Sequence, residues 1–148
     1  PFEESAVDYL LEKIKWLMPF FLQLAVQELM DLFDQTGKQI DHVVVDQAFE
    51  CICNRRNNIH FDSYYKRLED AFSEEDYVMA LAVLSRIAGR YQVPRGSLIS
   101  EFSAGGAGRN LVAILESLEY DGYINIQEDH YIFNSPILQL WWNKYISN

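Results

Sequence analysis

Apolar side chains at Val7, Leu10, Leu11, Ile14 and Leu17 have the spacing of one face of an amphipathic helix, which predicts a helix from about Glu3 to Trp16. Pro19 interrupts that pattern and can open a second helix. In it, Phe20, Phe21, Leu24, Ala25, Leu29 and Leu32 give a broad apolar surface as far as Thr36-Gly37. A third helix starts after Asp41 as N-cap, turns Val44, Val45, Ala48, Phe49 and Ile52 inward, and ends near Asn54-Arg55. Arg55 to His60 reads as a polar loop. Asp62 is the expected cap of a short fourth helix that packs through Tyr64, Tyr65 and Leu68.

The pattern changes at Ser73. A Ser cap followed by three acidic residues leads into a longer stripe of Tyr77, Leu81, Leu84, Ile87 and Ala88, which should end between Gly89 and Gln92. Pro94 to Ser97 opens a short helix with Leu98, Ile99 and Phe102, Gly105 to Gly108 forces a turn, and Leu111, Ile114, Leu115 and Leu118 mark a further helix. Gly122 supplies its left-handed stop. Tyr123 to Ile126 and Tyr131 to Phe133 alternate as two short strands of a hairpin, and a last helix from Ser135-Pro136 carries Leu138, Trp141, Trp142 and Tyr145. The expected fold is therefore mainly α: a small helical bundle over residues 1–72, then a winged helix-turn-helix with a β-hairpin wing and a C-terminal helix over 73–148. The seam is placed at Ala71 to Glu75.

The 148 residues are 49% apolar, enough for a real core. Charged residues recur too often for an apolar run of about 20 residues, the length a bilayer span needs, so no membrane role and a cytoplasmic location are expected. A first residue of Pro suggests a segment of a longer protein. Cys51 and Cys53 would point about 200° apart on a helix, which predicts free thiols in a reducing compartment. They and three scattered histidines make no zinc pattern.

The net charge is -10, and both halves share it: residues 1–72 hold 7 Lys+Arg against 13 Asp+Glu, and 73–148 hold 5 against 9. A nucleic-acid binder concentrates positive charge to displace phosphate counterions, so the balance shifts expectation towards protein partners. Nucleic acid is disfavoured as a partner. If the winged unit did read DNA, the candidates are Arg109 and Asn110 at the start of its second helix, with Arg95 nearby. Glu116 and Glu119 on that helix and Gln127-Glu128-Asp129 at the wing tip oppose it. No nucleophile with a matched base stands out, and the glycine cluster lacks the Lys-Ser/Thr of a phosphate loop, so no catalytic residue and no metal site are assigned. Trp141 and Trp142, about 100° apart on a helix, are the candidate interface: one can pack inside while the other meets a domain or partner boundary.

Four segments, in order, carry a resemblance: Ile14-Lys15-Trp16-Leu17-Met18-Pro19-Phe20-Phe21-Leu22-Gln23, then Tyr64-Tyr65-Lys66-Arg67-Leu68, then Leu118-Glu119-Tyr120-Asp121-Gly122-Tyr123, then Phe133-Asn134-Ser135-Pro136-Ile137-Leu138-Gln139-Leu140-Trp141-Trp142. Together they resemble the C-terminal helical lid and winged helix of prokaryotic AAA/STAND-type, or archaeal-type, P-loop ATPases. Lys15 stands where that family often has Gly. The resemblance implies a non-catalytic regulatory or interaction module that couples nucleotide state to protein contacts. It would place Pro19 near the adenine of a nucleotide held, with its Mg, by an ATPase core that this chain does not contain. The implied partners are that core, another protein, or further copies of the chain. The alternatives are a transcription regulator that reads DNA through Arg95, Arg109 and Asn110, and a hydrolase whose site the pattern does not disclose.

Overall fold

The computed structural model describes residues 1–14, 19–53, 58–103 and 110–147, with the backbone alone at 14, 19–21 and 58–60. The chain is mainly helical, with one small antiparallel sheet. In order it forms α1 (Glu4–Ile14), α2 (Pro19–Thr36), α3 (His42–Ile52), α4 (Asn58–Ala71), α5 (Glu74–Arg90), β1 (Gln92–Pro94), α6 (Arg95–Ser103), α7 (Leu111–Tyr120), β2 (Ile124–Gln127), β3 (His130–Phe133) and α8 (Pro136–Tyr145). Its contacts divide it into two compact units: Pro1–Ile59 with Ser135–Ile137, and His60–Asn134 with Leu138–Asn148. This division falls earlier in the chain than the Ala71 to Glu75 seam read from the sequence, because Phe61, Tyr64 and Tyr65 on α4 pack with residues that follow them in the second unit.

In the first unit, Asp41 caps α3 as expected, its carboxylate accepting from Val44 N at 3.0 Å. Val44, Val45, Ala48, Phe49 and Ile52 are all buried. Gly37, at φ +65, ends α2, and its N–H donates to Phe33 O at 2.7 Å. The inward face of α1 differs from expectation: Ala6 and Leu10 are buried, whereas Val7 and Leu11 are 42% and 39% exposed. The polar contacts of α1 explain the rotation. Tyr9 and Lys13 both bind Asp46 of α3, so the stripe at positions 6, 9, 10 and 13 faces α3 and positions 7 and 11 turn away.

α4 begins at Asn58, so Asp62 lies inside the helix and is not its cap. The segment around residues 58–60, expected as loop, is helical. Burial of Phe61 together with Leu68, two turns apart on one face, requires the helix to start ahead of Phe61. Ser73 caps α5 by accepting from Asp76 N, and Ala80, Val83, Leu84, Ile87 and Ala88 are buried there, with Tyr77 and Leu81 only half-buried.

The sheet has three strands where two were expected, in the order β1-β3-β2. Val93 pairs with Tyr131, and Ile124 to Gln127 run antiparallel to Phe133 to His130. β1 escaped sequence reading because only Val93 of its three residues is buried and Pro94 has no N–H to donate, so only pairing with β3 defines it as a strand. Leu111, Ile114, Leu115 and Leu118 of α7 are buried as predicted. Gly122, at φ +86, closes that helix: its N–H donates to Glu119 O at 3.1 Å, and the Tyr123 N–H donates to Leu118 O at 3.0 Å. Among the described residues, no helix is long and apolar enough to cross a membrane.

Candidate interaction surface

The stripe that buries α7 also fixes what it leaves outside. With Leu111, Ile114, Leu115 and Leu118 facing in, Val112, Ala113, Glu116 and Tyr120 form the outward face, and Tyr120 is 92% exposed. Beside α7 lies the β2–β3 hairpin. Its strands end on the pair Gln127 and His130, leaving Glu128 and Asp129 as a two-residue turn with φ of 50 and 63. Tyr131, on the central strand, senses the charges of this region. Burial raises its hydroxyl pKa, Arg95 pulls it down, and Glu119, Asp129 and Glu116 push it up. Among the described residues, one cation and three carboxylates act on it where α7 and the hairpin converge.

Each candidate DNA contact can be placed against that surface. Arg95 opens α6 and is exposed, and its backbone N–H donates to Asp129 O at 2.9 Å, which ties the start of α6 to the hairpin turn. Asn110 is the N-cap residue of α7 but makes no side-chain cap bond, and its carboxamide donates instead to Asp76 of α5 at 3.2 Å. Arg109 and the glycine turn before it lie outside the described residues. So does the side chain of Pro19, whose backbone starts α2.

The tryptophan expectation needs correction on the point of exposure. Trp141 and Trp142 are 1% and 0% exposed, so neither presents a ring to another molecule. Trp141 stacks on Phe61 at 5.3 Å between centroids, and Trp142 donates its indole N–H to Ser85 Oγ at 3.0 Å. Both can be inward on one helix because α4 and β3 also contribute aromatic rings, Tyr65 and Phe133, around Trp142. The aromatics this unit exposes among the described residues include Tyr91 and, most of all, Tyr120, which sequence reading did not single out as a surface group. Its place off the Leu111-Ile114-Leu115-Leu118 stripe was the available signal.

A polar cluster in the first unit joins α1 to α3. Tyr9 donates to Asp46 Oδ1 at 2.7 Å, Lys13 reaches the same oxygen at 2.8 Å, and the Tyr9 ring stacks on His42 at 4.2 Å. Burial opposes the charge on Asp46, but hydrogen bonds from Lys13 and Tyr9 and the Lys13 charge outweigh it and hold the carboxyl below its ordinary range. Burial likewise opposes the charge on Lys13, and Asp46 more than restores it, so the amine is held charged. The Tyr9 hydroxyl is held protonated, chiefly by its bond to Asp46. A charged amine and a protonated phenol supply neither nucleophile nor base, and the cluster works as a latch between helices.

Neither Cys51 nor Cys53 forms a disulfide, and Cys53, buried at the end of α3, directs its thiol to Ile137 O at 3.8 Å. Among the described residues, no three His, Cys, Asp or Glu side chains are grouped to hold a metal ion. Comparison of the chain with protein-family models, curated proteins and solved structures gives no match.

Proposed function

We propose that this chain is a non-catalytic module of a P-loop ATPase, a helical lid followed by a winged helix, whose winged helix makes protein contacts rather than reading DNA. The succession α5, β1, α6, α7, β2, β3, with β3 between β1 and β2, supports the winged-helix assignment. The resemblance of the four ordered segments supports the ATPase context, in which a separate core would hold ATP and Mg and the lid would relay nucleotide state.

The observation that carries the choice of protein over DNA is the charge where α7 and the hairpin meet. Arg95 stands there against Glu116, Glu119 and Asp129, and Asn110, the residue suited to adenine, is engaged with Asp76. A duplex brought to the described residues of that face would meet net negative charge without a compensating release of counterions. The test is fluorescence anisotropy of random-sequence duplex DNA titrated with the chain, at low and at near-physiological salt. No saturable binding at either salt is expected. Binding that persists near physiological salt and weakens in Arg109→Ala would overturn the proposal in favour of a DNA-reading regulator.

A further inference from the structure

The outward face of α7 continues into a shallow open trough of about 450 Å³ lined by Ala71, Phe72, Ala113, Glu116, Tyr120 and Asp121. Its lining, which also includes Ser117, mixes polar and apolar surface. Phe72 is half-buried, Ala113 is exposed, and Tyr120 stands 92% exposed at the end of α7. An aromatic ring this open gains little for the folded chain, and tyrosine, with tryptophan and arginine, is enriched at the centres of protein interfaces. The rim is acidic, with Glu116 and Asp121 in the lining. A second depression shares Ala71 and Asp121 with the first and adds Asp70, with Arg67 as its cation. Taken over both depressions, three carboxylates face one guanidinium.

We infer that this trough is the docking site for a basic amphipathic segment of a partner protein, with its apolar side chains over Phe72, Ala113 and Tyr120 and its Lys or Arg side chains on Glu116 and Asp121. Charge complementarity selects this occupant: an acidic segment or a phosphate backbone would be repelled by the same carboxylates that attract lysine and arginine. One helix or linear segment binds in this mode when its apolar face covers exposed apolar side chains and its flanking charges set the register. Tyr120 would be the anchor, and the acidic rim would govern the rate of encounter and its salt dependence. The inference rests on the protein-contact reading and narrows it to one surface and one partner chemistry.

The test uses the full chain and a fluorescein-labelled synthetic helical peptide with Leu on one face and Arg on the other, followed by anisotropy. A peptide carrying Glu in place of every Arg is the control, and so is a Glu12→Lys chain, which changes net charge as Glu116→Lys does at a residue that does not line the trough. The expected result is saturable binding of the Arg peptide only. Tyr120→Ala should weaken it roughly tenfold, the effect of removing one anchor side chain. Glu116→Lys should weaken it further at low salt than Glu12→Lys does. Circular dichroism of Tyr120→Ala should be unchanged, since the side chain is exposed. Failure of the peptide to bind, or equal binding by Tyr120→Ala and wild type, overturns the trough as the docking site while leaving the protein-contact reading standing. Saturable binding of labelled random-sequence duplex DNA by the chain itself, weakened in Tyr120→Ala, overturns both.

Discussion

Trp142 of α8 donates its indole N–H to the Ser85 hydroxyl of α5 at 3.0 Å, and one turn further along α5 the Ala88 carbonyl accepts from Gln139 at 3.0 Å and Asn143 at 2.9 Å. The two helices are thus joined by a polar seam beside a buried aromatic cluster. Ala88 lies in the last turn of α5, where carbonyls run out of helical partners, so α8 supplies donors where α5 needs them. Gln139 is 8% exposed, and its amide would be costly there without such a partner.

That seam makes a first prediction. Trp142→Phe keeps most of the apolar contact but removes the donor, and should cost about 1–2 kcal/mol. Trp142→Ala empties the site and should cost about 3–5 kcal/mol. Urea denaturation gives both values. A double-mutant cycle with Ser85→Ala should return a coupling of about 1 kcal/mol, and a coupling near zero would mean that the hydrogen bond contributes nothing.

The hairpin turn makes a second. Glu128 and Asp129 both sit at positive φ, 50 and 63, in a two-residue turn of the kind that favours Asn-Gly. A glutamate in that conformation has neither glycine's freedom nor asparagine's tolerance of it. Replacing Glu128-Asp129 by Asn-Gly should stabilise the chain by about 0.5–1 kcal/mol, read as a higher urea midpoint with an unchanged m-value.

A third concerns Asn134, just after β3. Its side-chain amide donates to Gly122 O at 2.8 Å and to Ile124 O at 3.2 Å, its side-chain oxygen accepts from Asn125, and its backbone N–H donates to Tyr123 O at 3.0 Å. One side chain therefore fastens the turn that leaves α7 to the end of the hairpin. Asn134→Ala keeps the backbone bond to Tyr123 O but leaves Gly122 O, Ile124 O and the Asn125 amide without their side-chain bonds, and should cost about 2–3 kcal/mol. Asn134→Asp, which removes both amide donors while keeping shape, should be nearly as damaging. If Asn134→Asp were neutral, the amide would not be the fastener.

These cases show where sequence was informative. Repeating apolar positions and caps act locally, so the faces of α3 and α7, the Asp41 and Ser73 caps and the Gly122 stop were all legible. What was not legible depends on partners distant in sequence. β1 is a strand only because β3 pairs with it. The rotation of α1 is set by Asp46, 33 positions beyond Lys13 on another helix. Adjacent tryptophans cannot both face one neighbour, but they can both be buried when α4, α5 and β3 supply surroundings on more than one side. The candidate surface was half-read: its acidity was plain in Glu116 and Glu119, whereas the trough beside Tyr120 requires Phe72 to lie next to α7.

The last prediction concerns alkaline pH. Burial pushes the Tyr123 hydroxyl up to about 12; the Arg67 charge opposes this, and Asp121 and Tyr64 reinforce it. The hydroxyl donates to Tyr64 O at 2.7 Å, a bond that phenolate cannot make. An unfolded tyrosine loses its proton near pH 10, so between about 10 and 12 the unfolded chain releases a proton that the folded chain still holds. The stability tied to the protonated hydroxyl is therefore complete below about pH 10 and drains away as pH rises towards 12. Tyr77, raised mainly by burial and next by its bond with Tyr65, adds to the loss in the same direction. Tyr123→Phe should cost about 1 kcal/mol at pH 7 through the lost bond to Tyr64, yet should make the decline above pH 10 shallower. Urea midpoints of wild type and Tyr123→Phe from pH 7 to 11.5 test this: the two curves should converge at high pH, and parallel curves would show that Tyr123 does not hold its proton more tightly in the folded chain.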